Sequence, residues 1–302
     1  MKKGCSIVFV VLAIVSCIVM VVAFVADNSF GIIRGAPRIS YRELVTPQTS
    51  VQVVVEPLLA PELAARFLQP EHNVPTWALA RVLPHQIAVL AEAALDSGQT
   101  KSVVFINEQR LGPLAAQRSE GALALRRRGV LVGEVTGVLP EAVVKAIRAR
   151  WAQIAAIAAP AVEASHLLSL AFDNRQGTGF AAFLGSRPFA GVPPEQAVAE
   201  DTLTIVRGIG TITGYADLAP NDTLNVHLSV ECNTWAQNPE HMFLLANMGL
   251  EELRARLKAD YGIVLSGVPK LEGPTIQGDF TVATVEKLIA VLKQRAGLRL
   301  AS

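Results

Sequence analysis

The chain is poor in cysteine. Three occur in 302 residues: Cys5, Cys17 and Cys232. The first two lie in or beside an apolar amino-terminal run, so Cys232 has no obvious intradomain partner. That excludes a disulfide framework and a cysteine-based zinc motif. A surplus of charge is also missing. The formal net charge is +1 with Lys2 and Lys3 included, which leaves the body nearly neutral. Nucleic acid is therefore excluded as a partner, because phosphate binding needs an excess of cations. No HExxH, GxSxG, Walker A loop or CxxC is present, and each of those spacings is what its chemistry requires. In "RGIGTITGY" the third glycine, Gly214, comes one residue late for a dinucleotide loop, and no helix pattern follows. Gly208, Gly210 and Gly214 are expected to allow a bulge or close backbone packing. No cofactor and no metal site is predicted.

What is present is apolar. Hydrophobic residues make up 51% of the chain and mean hydropathy is +0.38, which implies extensive burial and not disorder. Residues Ser6 to Ala26 carry no charge and follow Lys2 and Lys3. The run is about long enough to cross a hydrocarbon core as a helix. Two other readings compete. "IVSC" at Ile14 to Cys17 matches a loose lipoprotein pattern, but a mature lipoprotein continues into a polar linker, and here "IVMVVAFV" follows. Cleavage after Ala23 is the other. The favoured expectation is an uncleaved signal anchor over residues 1–26, with a tether over 27–49. Lys2 and Lys3 favour a cytoplasmic amino terminus, against Arg34 and Arg38 on the far side. The expected location is the cytoplasmic (inner) membrane, single-pass, with a periplasmic body. The expected partners are the lipid bilayer through residues 6–26 and an envelope protein.

The body is expected to be α+β: a mixed, largely antiparallel sheet with packed helices. "SVQVVVEP" predicts a strand over 50–56 and "APELAARFL" a short helix. "PHQIAVLAEAALDSG" predicts a helix with a stripe of Ile87, Leu90, Ala91, Ala94 and Leu95. "KSVVFINEQ" predicts a strand, and Pro113 opens a helix ending at Arg126, Arg127, Arg128 and Gly129, where cations and glycine suit the carbonyl end. "VLVGEVTGV" predicts a strand, and Pro140 opens a helix to about Ala159 through Val143, Ile147 and Trp151. Further on, "HLLSLAFDNRQGTGFAAFL" reads as two strands about a turn. "DTLTIVRGIGTITGYADLAPNDTLNVHLSVEC" reads as a hairpin through Pro220 and Asn221. Helices are predicted over about 239–247 and 250–260, then a strand "GIVLSGV" and a helix "ATVEKLIAVLKQ". The segment "SVVFINEQ…VLVGEVTGV" can be laid over "NVHLSVEC…GIVLSGV", which suggests an internal duplication with lobes at 50–160 and 161–302.

Candidate site residues are few. Leu224, Val226, Leu228, Val230 and Cys232 share one face of a strand, with Asn225, His227, Ser229 and Glu231 on the other. Cys232 therefore reads as a small buried hydrophobe. His227 and Glu231 lie about 13 Å apart along the strand, too far to share a metal without a third ligand. Three apolar strands end in glutamate, at Glu56, Glu108 and Glu231. In a parallel sheet these carboxylates would gather at one edge, where α/β folds place ligands, and paired carboxylates can do acid/base work. Trp235 follows in a loop and could bind a ligand. The reading favoured is a membrane-anchored extracytoplasmic binding or scaffold module with no catalytic motif. The alternatives are a carboxylate-dependent hydrolase, or a small-molecule or lipid carrier with an inter-lobe cavity.

Overall fold

The computed structural model describes residues 40–68, 83–107, 123–127, 130–151, 160–162, 165–185 and 199–295. Its strands are β1 (Thr49–Val55), β2 (Gln86–Ala94), β3 (Gln99–Asn107), β4 (Leu123–Arg127), β5 (Val130–Val138), β6 (Leu168–Asp173), β7 (Ile209–Leu218), β8 (Leu224–Cys232), β9 (Val264–Gly267), β10 (Lys270–Glu272) and β11 (Thr275–Ala283). They form one sheet of eleven strands in the order β10-β11-β8-β7-β6-β1-β2-β3-β5-β4, with β9 also paired to β11. Every pairing is antiparallel. Outward from the central β1–β6 pair, the order is β1-β2-β3-β5-β4 on one side and β6-β7-β8-β11-β10 on the other.

The helices are α1 (Pro61–Leu68), α2 (Glu141–Arg150), α3 (Thr178–Gly185), α4 (Glu200–Gly208), α5 (Pro239–Tyr261) and α6 (Val285–Arg295). One face of the sheet carries most of them. Ala91 and Ala93 of β2 pack against Val143, Ile147, Phe180, Ala181 and Leu203 from α2, α3 and α4. Farther along the same face, Cys232 and Ile276 pack on Met242 of α5. On the opposite face, Val54, Ala88, Leu90, Phe105 and Ala171 form a core with Tyr41 and Val162. Tyr41 belongs to a 3-10 turn, Tyr41–Leu44, capped by the Ser40 side chain. The expected tether thus already packs into the fold by residue 41. No helix among the described residues is long and apolar enough to cross a membrane. The run 6–26 lies outside them.

Two helices cross between the sides of the sheet. α3 follows β6 in the chain yet packs on β1, β2 and β3. α1 follows β1, packs on α6, and places Arg66 Nη1 2.6 Å from Asp222 Oδ1 in the β7–β8 turn. Two buried asparagines fasten the connections. Asn174 Nδ2 donates to the Val206 carbonyl (2.9 Å), and its Oδ1 accepts from the Phe180 N–H at 2.9 Å. Asn233 Nδ2 donates to the carbonyls of Arg207 and Ile209.

Several expected elements are different in the structure, and the causes are physical. Residues 86–94 are a strand, not a helix. Ala88 and Leu90 point into one core and Ala91 and Ala93 into the other, so burial on two sheet faces imitates a helical stripe. Residues 123–127 are β4, whose Arg127 pairs with Val130. Arg126 and Arg127 therefore sit in a strand and not at a helix end. Arg128, Gly129 and the helix expected after Pro113 up to residue 122 lie outside the described residues. The second strand expected after the Asn-Arg-Gln-Gly turn is α3. Gly179, Phe180, Ala181 and Ala182 are all buried, so that helix is apolar all round and shows no period. Residues 200–208 are α4, ahead of the expected β7–β8 hairpin. Helices expected at 239–247 and 250–260 are the single α5, capped by Asn238 and ended by Gly262 at φ 63°. The strands β10 and β11 were not expected. β3 and β8 hold matching places in the strand order, but the match to β5 is β11, not β9.

Candidate functional site

Alternation along β7 and β8 separates polar from apolar side chains. The register then collects the polar sets on one sheet face. Thr211, Thr213, Tyr215 and Asp217 of β7 stand opposite Glu231, Ser229, His227 and Asn225 of β8. These in turn stand opposite Thr275, Gln277, Asp279 and Thr281 of β11. The apolar partners Val230 and Ile276 turn to the other face, toward α5. Close strand approach depends on glycine in this region. A Cβ on Gly214 would lie 2.6 Å from the His227 carbonyl oxygen. β7 carries a register shift between Ile209 and Thr211, at Gly210.

Three rings stack across this polar face. The His166 ring lies 3.9 Å from the Tyr215 ring at 15°, and Tyr215 lies 5.0 Å from His227 at 22°. A carboxylate holds each end. His166 Nδ1 meets Asp217 Oδ2 at 2.6 Å, and His227 Nδ1 meets Asp279 Oδ1 at 2.8 Å. The Leu167 N–H donates to Asp217 Oδ1 as well (3.0 Å). The tyrosine separates the two imidazoles, so they do not converge on one metal ion. No group of three or more metal-ligating side chains occurs among the described residues.

The far end of the face is ionic. Arg175 forms a two-pronged pair with Asp173, with Nη2 2.5 Å from Oδ2 and Nε 2.9 Å from Oδ1. The hydrogen bond to Asp173 and the fields of Asp173 and Glu231 raise the Arg175 pKa further above its ordinary value, against the effect of burial. Thr211 Oγ1 donates to Glu231 Oε2 at 3.1 Å.

On the other half of the sheet the same face holds a cavity of about 280 Å³, lined by Glu43, Leu44, Thr46, Thr49, Leu90, Ala91, Glu92, Lys101, Val103, Val132 and Glu134. Thr46 Oγ1 donates to Glu92 Oε2 at 2.8 Å. Lys101 Nζ lies 2.9 Å from Glu134 Oε2. The hydrogen bond to Glu134, with the fields of Glu134 and Glu92, raises the lysine pKa against a smaller opposing effect of burial.

The expected site residues scatter. Glu56 accepts from Gln86 Nε2 at 3.2 Å. It directly follows β1, while Glu231 lies near the end of β8, which runs the opposite way three places along the sheet. The two carboxylates therefore sit at opposite edges of the sheet along the strand direction, and about 14 Å of sheet width separates them besides. A hydrolytic pair sits closer than that. The edge cluster required parallel strands, and the sheet has none among the described residues. Glu108 lies outside the described residues. His227 joins the ring stack and not Glu231. Trp235 is 39% exposed, with the Arg207 guanidinium 5.7 Å from its ring centre. Cys232 is buried, and burial, with the field of Glu231, pushes its thiol pKa up. Sequence reasoning missed His166, Tyr215, Asp217 and Asp279. The T-x-T-x-Y-x-D alternation of β7 was a usable signal for the middle two. Nothing local marks His166, which reaches the face only through the chain entering β6.

No protein-family model matches the chain, and no curated protein is significantly similar to it. Among solved structures, TP0453 in crystal form III is similar with a TM-score of 0.37 and 12% identity, covering 83% of this chain and 98% of that one. TP0453 in crystal form I is similar with a TM-score of 0.36 and 11% identity, over 83% and 98% of the two chains.

Proposed function

We propose that the protein is a membrane-anchored, extracytoplasmic binding module that engages an envelope component through the polar face of β7, β8 and β11. The observation that carries this reading is the unbroken polar lining of that face. A sheet face given only polar side chains is built to meet water or a polar partner, and here it also holds an ordered ring stack. The uncharged run 6–26 behind Lys2 and Lys3 supports attachment to the inner membrane as a single anchor, with the body outside the cytoplasm. The matching strand order on the two sides supports two similar lobes, 50–160 and 161–302, from an internal duplication. The carrier reading gains one observation of its own: a cavity is present, though within the first half of the sheet.

The experiment has two arms. Alkaline phosphatase and GFP fused at the carboxyl end should give an active phosphatase and a dark GFP; the reverse pattern would put the body in the cytoplasm. Photo-cross-linking residues placed at Ser229 and Gln277 should give a discrete adduct in intact cells. The same cross-linker at Leu244 on α5 should not. Equal labelling at all three positions would remove the polar face as the binding surface.

A further inference from the structure

The ring stack and the cavity occupy matching places in the two halves of the sheet. The β1–β6 register runs from Val51–Phe172 to Val55–Leu168, and its middle pair is Val53 with Leu170. A two-fold axis through that pair, normal to the sheet, exchanges the two strand orders. Val89 stands opposite Val53, and Gly214 opposite Leu170. Val104 then stands opposite Val89, and Leu228 opposite Gly214. Gly133 follows opposite Val104, and Gly278 opposite Leu228. Counting along the strands from these anchors matches Glu92 with Asp217, Glu134 with Asp279, Leu90 with Tyr215 and Val103 with His227. The chemistry agrees with the count. Both inner carboxylates are bonded by the chain entering the first strand of their half: Glu92 by Thr46, Asp217 by His166 and the Leu167 N–H. Both outer carboxylates pair with a base on the neighbouring strand: Glu134 with Lys101, Asp279 with His227.

What differs is bulk. Where one half has Tyr215 and His227, the other has Leu90 and Val103. Three stacked rings fill the place in the second half, and in the first half the place is the cavity of about 280 Å³. The second half thus shows what such a pair of carboxylates holds: planar rings bearing N–H groups. The cavity offers an apolar floor of Leu90 and Val103, and its lining holds three carboxylates, Glu43, Glu92 and Glu134, against the single ammonium of Lys101. An anion is repelled by that balance, and a carboxylate with one partner keeps capacity to accept more bonds. The volume is at or below the small end of ligand pockets, which suits a small molecule and not a polymer.

We infer that this cavity binds a small planar organic cation of the amidinium or imidazolium type, the external counterpart of the imidazole rings in the other half. The inference takes the ring stack only as a template and needs neither membrane attachment nor a partner bound at the β7–β8–β11 face, so its failure would leave the proposed function standing. Benzamidinium is the probe, titrated calorimetrically into the full chain in detergent, with benzamide and benzoate as neutral and anionic controls of the same shape. Benzamidinium should saturate one site, and the controls should bind at least about tenfold more weakly. The pair Glu92→Gln with Glu134→Gln should weaken benzamidinium by about tenfold or more, and Lys101→Met should strengthen it. Leu90→Tyr with Val103→His should abolish binding by closing the cavity; if that variant fails to melt cooperatively, the glutamine pair decides. Equal binding of cation and neutral control, or unchanged affinity in the glutamine pair, would overturn the inference.

Discussion

Cys232 shows how one side chain responds to its surroundings. It lies on the apolar side of β8 against Met242 and Ile276, and burial raises its thiol pKa first, Glu231 second. The folded state therefore keeps the proton longer than the unfolded chain, whose thiol titrates at about 8.5. As pH rises past that value, the unfolded chain loses its proton first, so the fold loses stability until pH passes the folded value. Between about pH 7.5 and about pH 9.5, the urea midpoint should fall less in Cys232→Ala than in the unaltered chain. An identical fall in both would mean that the thiol ionises equally in both states. The position was legible from strand alternation alone. Asn174 was not: it sat in a recognised turn, but its use as a tie between α3 and the end of α4 depends on groups distant in the chain.

Among the elements, α5 tests the weight of local signals. Gly249 reads as a break between two helices, yet the helix runs through it, and a Cβ there would meet nothing within 4 Å. Glycine inside a helix costs roughly 0.5–1 kcal/mol relative to alanine. Gly249→Ala should therefore raise stability by about that amount, read as a higher urea midpoint with an unchanged slope. A two-helix arrangement with a bend at Gly249 would instead lose stability. The opposite lesson comes from β2. Its apolar residues satisfy helical spacing as well as strand spacing, because the strand is buried on both faces and Gln86 and Glu92 are its only polar positions. Strands with one wet face, β7 and β8, were legible for that reason, as was α6 with its amphipathic pattern. Short β10 and the adjoining β11 gave too little pattern in "KLEGPTIQGDFTVA" to be seen.

For the whole molecule, the crossing of helices carries a consequence. The Ala91 and Ala93 face of β2 is covered by α3 and α4, which come after β6 in the chain. A fragment of residues 40–160 would expose that face. A fragment of residues 161–302 would leave Ala181 and Leu203 without their partners. Neither fragment should melt cooperatively alone, and mixing the two should restore a cooperative transition, monitored by near-ultraviolet circular dichroism. A cooperative melt from either fragment by itself would show that the halves are independent.

Local rules were sufficient for the class of fold, the antiparallel β7–β8 hairpin, the end of α5 at Gly262, and the separation of polar from apolar sides along β8. Each depends on residues within a few positions of one another, where period and turn chemistry speak directly. The assembly of His166 with Tyr215, His227 and Asp279, the matching cavity under Glu92 and Glu134, and the separation of Glu56 from Glu231 depend on strand order and direction. Those are set by which faces can be buried together across long stretches of chain, a competition among distant segments that no local spacing records.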